Sequence, residues 1–489
     1  MKDNLFERII AFLSPKIAAN RAKSRTALGL LNSGARRYEA ASKGRRTQGW
    51  VAPSSSANAE LNGALDTLRS RSRDLARNNP YMSRALQVIT GATVGDGISH
   101  KFSAKSEAQQ KKIEDLWRAW AESKACDFYG LGNIYTLQAQ VIKSVAEGGD
   151  CFARRIKTKS SDGMIVPLQI QLLEGDFVDH SYTADLGSGK SVIQGVEFDA
   201  NGKRVGYHIW NRHPGDVGSK ERVRVDASDM IPIFRVDRVG QVRGAPWGAP
   251  VMMKLNEFAE YEDAQLVRQK MASCHVGFIY DVNGIADNQS APPVDKFEPG
   301  MLEVLPPGMD IKFNSPPGVD GMRDYSNQVL HAIASGLGIS YESLTGDFSQ
   351  VNFSSARMAA IEMYRNVDQW RWNMLIPQFC EVIGNWFLEA ATLTGVKTDG
   401  ISQSFTAPKR EMIDPGGETM AIQRQIRSGL KTQSEALREL GYDPKMVLAE
   451  MKADNDLIDK LGLALDTDPR KMSQIGFAQQ PATIDKLME

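Results

Sequence analysis

The sequence predicts an α+β chain in which a helical block, a run of strands and a second helical block follow one another. Three observations carry this. Apolar residues recur at helical spacing over residues 61–148 and again beyond 249, strand-length runs crowd residues 151–238, and a Pro/Gly-rich excursion at 277–321 separates two helices. At 489 residues the chain exceeds one compact core and is expected to form more than one folding unit. Its 42% hydrophobic residues provide ample material for those cores. The 59 basic and 59 acidic residues cancel, so bulk charge points to no polyanion and the local distribution has to be read instead.

Residues 1–60 read as a basic, mobile arm. Arg21, Lys23, Arg25, Arg36, Arg37, Lys43, Arg45 and Arg46 stand against Glu39, with few large apolar residues between them. Its start, MKDNLFERIIAFLSP, carries Asp3 and a short apolar stretch ending at Pro15, which fits an amphipathic helix and not a signal peptide. No apolar run reaches membrane-spanning length, so no membrane partner is expected.

Helices follow. Leu68 and Leu75, then Met82, Leu86 and Ile89, lie at helical spacing on either side of Asn79-Pro80, a break and restart. Ile113, Leu116, Trp117 and Trp120 predict a helix over 106–122, and NIYTLQAQVIKSVAEGG predicts another closed by Gly148 and Gly149. The texture then changes to strands at CFARRI, VPLQIQLLE, GVEFDANGKRVGYHIW and IPIFRVDR. Within the third, Asn201-Gly202 predicts a type I′ hairpin.

Residues 249–274 predict a long amphipathic helix on Leu255, Phe258, Leu266, Val267 and Met271, with acid concentrated at Glu257, Glu260, Glu262 and Asp263. The segment from GFIYDVNG to FNSPPGVDG, residues 277–321, is Pro/Gly-rich with short strands expected in MLEVLP and MDIKFN, and a shorter helix follows in YSNQVLHAIASGLG. A flexible stretch, TGDFSQVNFSSARM, opens the next helix, from about Ser354 to Thr394. Continuous, that helix spans about 60 Å, and Pro377 is expected to kink it. Beyond MIDPGG the chain reads as several short helices, with a capping box at TQSE and an N-cap at Asp443-Pro444.

Nothing supports catalysis. LGSGKSV ends like a phosphate-binding loop, but Ala184 stands where the motif needs its first glycine, and a strand follows instead of a helix. The six histidines show no metal-ligand spacing, and EGDFVDH, with Asp176 and His180, reads as a polar turn. Cys126, Cys151, Cys274 and Cys380 lie far apart, as reduced thiols do. No GxSxG elbow is present and no metal or cofactor is expected.

Five stretches together resemble lambda-type bacteriophage portal proteins, in the same order and over roughly residues 61–455: RSRDLARNNPYMSRALQVITGATVGDGI, LLEGDFVD, GVEFDANGKRVGYHIW, RVDRVGQVRGAPWGAPVM and DFSQVNFSSARMAAIEMYRNVDQWRWNML. The resemblance implies a non-enzymatic subunit of a cyclic, typically dodecameric ring at one capsid vertex. It implies a wing over 61–249, a first stem helix over 250–276, a clip over 277–321 and a second stem helix over 322–344. A tunnel loop over 345–356, a long kinked wing helix and return over 357–411 and a helical crown and tail over 412–489 complete the expected layout. Such rings nucleate head assembly, pass double-stranded DNA without regard to sequence, and dock terminase at the clip. Other implied partners are further copies of the chain, major capsid and scaffolding proteins, and head-completion and tail connector proteins. The location implied is the virion, with the host cytoplasm during assembly.

By the same resemblance, Asp347, Phe348, Ser349, Gln350, Asn352, Phe353 and Arg357 are candidates to face the DNA. Both phenylalanines fit packing against the next subunit's loop, or burial in their own core. Glu257, Glu260, Glu262 and Asp263 fit either the channel wall of the stem or a solvated outer face. Asp281, Asp287 and Lys296 are candidates for docking at the clip. The alternative is a ring-forming head or baseplate protein that conducts no DNA.

Overall fold

The computed structural model describes residues 54–158, 163–273, 277–281, 309–313 and 321–463, with single positions outside these spans. The chain divides into two compact units, Met1–Ser56 and Ala57–Glu489, and every element named below belongs to the second.

It opens with helices α1 (Ala57–Asn62), α2 (Leu65–Asn78) and α3 (Pro80–Val94). Asn79 makes the expected break. Its extended backbone stops α2, and its side-chain oxygen accepts the N–H groups of Tyr81 and Met82, each at 3.1 Å. Pro80 then occupies the first helical position, where a missing N–H costs no bond. Strand β1 (Ser99–Ser103), helix α4 (Glu107–Ala121) and helix α5 (Ile134–Gly148) follow. Gly149 ends α5 at φ 94, and a Cβ on the facing Gly244 would lie 2.0 Å from the Gly149 carbonyl oxygen, so both positions exclude a side chain.

The strands between α5 and α6 form two antiparallel sheets. β2 (Asp150–Lys157), β3 (Leu168–Glu174) and β9 (Met230–Phe234) make one in the order β3-β2-β9. β4 (Ala184–Gly187), β5 (Lys190–Ile193), β6 (Val196–Phe198), β7 (Arg204–Trp210) and β8 (Arg222–Asp226) make a five-stranded meander. LGSGKSV is the β4–β5 hairpin, with Gly187, Ser188 and Gly189 at φ 79, 54 and 77, as the turn reading expects.

The β6–β7 hairpin is present, but its turn is not type I′, which needs positive φ at Asn201. Gly202 alone is left-handed there (φ 77), its N–H donating to the Asp199 carbonyl at 3.0 Å, which is a type I turn closed by a glycine bulge. Asp199 is the cause. Its carboxylate accepts from the N–H groups of Asn201 (2.9 Å) and Lys203 (2.8 Å), an Asx geometry that competes with the I′ form.

Helix α6 (Met252–Ser273) leads to an antiparallel ribbon of β10 (Gly277–Asp281) and β11 (Met309–Phe313), and α7 (Met322–Leu337) returns from it. MLEVLP lies outside the described residues. After the short α8 (Tyr341–Thr345), helix α9 (Phe353–Trp370) passes without interruption through a π-helical stretch, Arg371–Cys380, into α10 (Glu381–Thr392). The expected long helix is continuous, and Pro377 lies inside the π-helical stretch. A proline ring clashes with the carbonyl four residues back and leaves it unpaired in an α-helix, and the chain passes Pro377 in the π register instead.

Strand β12 (Ser402–Thr406) pairs with β1, and helices α11 (Pro415–Arg427), α12 (Gln433–Glu439) and α13 (Pro444–Leu461) complete the described chain. Asp414, Thr432 and Asp443 cap these three. At TQSE the Thr432 hydroxyl accepts the Glu435 N–H at 3.1 Å.

The segment 61–249 does not close on itself. Its main core takes in Leu86, Trp120 and Ile142 together with Ile333, Leu375, Phe379 and Phe387 from beyond residue 330. The rings of His100, Phe102 and Trp117 pack against those of Phe387 and Phe405 in tilted and edge-to-face contacts, and Trp120 Nε1 donates to the Leu168 carbonyl at 2.8 Å. Helices α3, α4 and α5 cannot cover their apolar faces by themselves, and the long helix supplies the missing layer.

A second core (Phe152, Leu173, Val178, Tyr207, Ile209) joins the two sheets. Beside it Asp150 is fully buried between two fully buried arginines, Arg69 at 2.5 Å and Arg243 at 2.6 Å. Arg243 also donates to the carbonyls of Gly175, Val178 and Gln194, and Arg69 to that of Gly148. One carboxylate thus ties α2, β2, the 175–194 segment and the approach to α6 together.

Candidate functional site

The candidate residues fall on three consecutive pieces of chain: the α6–α7 pair, the ribbon at its tip, and the segment between α8 and α9. The helices α6 and α7 pack through Tyr261 and Tyr325, whose rings meet edge to face at 4.8 Å. Leu255 and Phe258 of α6 are buried, as are Leu330, Ile333 and Leu337 of α7. Further along α6, Leu266 and Val267 are 51% and 54% exposed, so the pair leaves apolar surface uncovered toward the ribbon.

The structure separates the four acids of α6. Glu262 is half-buried, and its carboxylate accepts the Tyr81 hydroxyl of α3 at 3.2 Å. Burial, then the adjacent carboxylate, pushes the Tyr81 hydroxyl up to about 12. Glu257, Glu260 and Asp263 are exposed, with Glu260 accepting from Asn256 at 2.8 Å. Three of the four therefore remain available to a surface outside this chain. Asp281 ends β10, opposite Met309 of β11, while Asp287 and Lys296 lie outside the described residues.

The helix-free part of the expected tunnel loop is shorter than 345–356. Thr345 closes α8, Gly346 turns left-handed (φ 72), and α9 starts at Phe353. Asn352 is responsible for the early start, because it forms a full capping box with Ser355. Between these ends the backbone is ordered by its own side chains. The Asp347 N–H donates to Thr345 Oγ1 (3.1 Å), the Asp347 carboxylate accepts the Ser349 N–H (2.9 Å), and Val351 N–H closes a turn on the Phe348 carbonyl (3.2 Å). The Ser349 hydrogen bonds hold the Asp347 carboxyl below its ordinary value. Phe348 is 63% exposed at the outer end of this turn, with Ser349, Gln350 and Asn352 exposed beside it. Arg357 is exposed and faces Glu418 of α11 at 3.9 Å.

Two features had no clear signal in the sequence. A cleft of about 700 Å³ lies between α9, the segment after β12, and α11–α12, lined by Arg357, Tyr364, Asp368, Trp372 and Arg410. Within it Arg410 pairs with Asp368 and stacks over Tyr364. Separately, Glu174, Asp176 and His213 place possible ligand atoms within 4.8 Å of one another. Arg73 pairs with both carboxylates, so that cluster carries its own cation. Cys126, Cys151 and Cys380 are buried free thiols, each pushed up to about 12 by burial, which removes nucleophilic character.

A helix pair tipped by a ribbon, followed by an exposed turn and a long helix, is the layout the sequence resemblance implied. A model of the phage portal protein family of lambda type matches residues 43–371. The chain belongs to the lambda family of phage portal proteins. As a phage portal protein it is a structural component of the virion. The family match begins inside the basic arm and ends at Arg371, earlier at both ends than the 61–455 span of the resembling stretches.

A probable portal protein of Halomonas phage phiHAP-1 is 24% identical over 461 residues, covering 88% of each chain. Portal protein B of Escherichia phage lambda is 23% identical over 366 residues, covering 66% of this portal protein and 68% of its relative. Among solved structures, a chain from the neck of a native gene transfer agent particle is similar at 17% identity and a TM-score of 0.46. That likeness covers 76% of this chain and 94% of the other.

Proposed function

We propose that this portal protein closes into a dodecameric ring at one capsid vertex and serves as the channel through which double-stranded DNA enters and leaves the head. The observation that carries the proposal is the uncovered apolar surface of α6, where Leu266 and Val267 stand exposed on a helix that buries Leu255 and Phe258 in its first half. A helix pair carrying a ribbon cannot cover that stripe from its own chain, and side-by-side packing of identical pairs around a closed axis does.

In this ring α6 and α7 form the stem, the β10–β11 region with Asp281, Asp287 and Lys296 forms the clip, and α11–α13 form the crown. The 346–352 turn projects into the bore. Glu257, Glu260 and Asp263 repel phosphate along the stem, which keeps the duplex from sticking; each phosphate neutralised by a cation would add salt-sensitive affinity. The turn contains no lysine or arginine, so it acts as a low-friction collar in which Phe348 is the foremost apolar contact. Terminase and then head-completion and tail connector proteins occupy the clip, capsid and scaffolding proteins surround the wing, and the chain itself is not an enzyme.

Cryo-electron microscopy of the concentrated full chain tests the proposal. Annular particles with a bore that passes a duplex are expected. Monomers only, or rings too narrow for DNA in every state, overturn it, the second result favouring a ring-forming head or baseplate protein that conducts none.

A further inference from the structure

Between Cys126 and α5 the chain presents Phe128, Tyr129 and Leu131 at 41%, 56% and 75% exposure. This apolar knob is held in a rigid frame built by Asp127. The buried Asp127 carboxylate accepts the N–H groups of Tyr129 (3.1 Å), Leu131 (2.8 Å) and Gly132 (3.1 Å), and its carbonyl accepts that of Gly130 (3.1 Å). Phe128 N–H donates to the Ile170 carbonyl of β3 at 3.0 Å, and the Phe128 and Tyr129 rings meet edge to face at 5.1 Å. A loop fixed in this way loses little further freedom on binding.

A matching hollow lies across the same sheet. Ile170 of β3 stands opposite Arg155 of β2, and the neighbouring Arg154 stands opposite Met230 of β9. The knob and the start of β9 are therefore level with one another on opposite edges. On the β9 side is an open cavity of about 270 Å³ lined by the apolar Ile231, Pro232, Phe234, Val236 and Val382 and by Arg204, Gln241 and Gln378, with the Arg204 guanidinium 5.5 Å from the Phe234 ring. A protruding knob and a partly apolar socket on opposite edges of one sheet are what a head-to-tail contact requires; a two-fold contact would use one patch twice.

We propose that the Phe128–Leu131 knob of one copy seats in the Ile231–Val236 socket of the next copy, making this one of the repeated contacts of the ring. The inference rests on the ring reading above and names where adjacent wings meet. Full-length Leu131→Cys and Val236→Cys variants, made singly and together and oxidised after assembly, test it. The double variant is expected to give a ladder of covalent multimers on non-reducing gels. Mixed single variants should give dimers, and each single variant alone should give neither. Leu131→Asp should weaken association by at least about tenfold while leaving monomer melting unchanged, because the side chain is exposed.

Annular wild-type particles with no cross-link in the double variant and full assembly of Leu131→Asp overturn the inference alone and assign the knob to another protein, such as the capsid shell. A dimer from one single variant alone overturns it in favour of a two-fold contact. Absence of annular particles from the wild type overturns the ring reading as well.

Discussion

Asp150 and Arg243 are both fully buried and joined at 2.6 Å, and Arg69 approaches the same carboxylate from the other side at 2.5 Å. Burial by itself would raise the Asp150 carboxyl, but Arg243, then Arg69, with the Arg243 hydrogen bond and the Gly244 N–H, hold it below its ordinary value of 3.8. A carboxyl depressed in the folded state stabilises above its unfolded pKa and stops doing so as pH falls through the folded value. The charged centre should therefore hold until the solution is acidified below about pH 4. Asp150→Ala leaves two buried guanidinium groups facing each other and should cost about 3–5 kcal/mol, read as a lowered denaturation midpoint in urea.

His100 gives a second, separate acid response. Burial among Phe102, Trp117 and Phe405, opposed only by the nearby Gln403 amide, pushes its imidazole down to about 3 from 6.5. The unfolded chain takes up a proton below pH 6.5 that the folded chain refuses, so stability falls from there toward pH 3. The slope approaches about 1.4 kcal/mol per pH unit. His100→Gln should flatten that part of the pH–stability curve, and an unchanged slope in the variant would assign the effect elsewhere.

Phe348 stands 63% exposed on a turn that its own side chains have ordered. Replacing Phe348 and Phe353 with serine should leave ring assembly intact and impair retention of packaged DNA. For Phe348 alone, the change in unfolding free energy should stay within about 0.5 kcal/mol, as for other exposed positions. Retention equal to the wild type would show that the turn does not touch the duplex.

The stem acids can be tested as a group of three. Replacing Glu257, Glu260 and Asp263 with lysine should convert a non-adhesive wall into a binding one, so that DNA association with the ring becomes strongly salt-dependent. On duplex DNA the slope of log affinity against log salt is about −0.9 per neutralised phosphate. Glu262→Lys should instead disturb folding, because Glu262 bonds to Tyr81 within its own chain.

At the clip, charge exchange at Asp281, Asp287 and Lys296 should spare ring formation and block packaging. Packaging at wild-type levels by such variants would remove the clip from the docking site.

The sequence by itself determined the local structure, for a physical reason. Helix caps such as Asn79, Thr432 and Asp443, the hairpin around Gly189 and the apolar spacing of α2 to α5 act over a few residues, so each could be read where it stands. The family was legible for the same reason, from short stretches in a fixed order. What the sequence misjudged was local competition, because Asp199 redirected the β6–β7 turn. Only the tertiary structure decided which distant residues meet. It placed Phe387 against Trp117 across 270 residues, made Asp150 the common partner of Arg69 and Arg243, and set Glu262 apart from the acids beside it. It also brought the knob on Ile170 level with the socket beyond Met230. Those pairings depend on burial and on strand register, which arise only when segments far apart in the chain exclude water together.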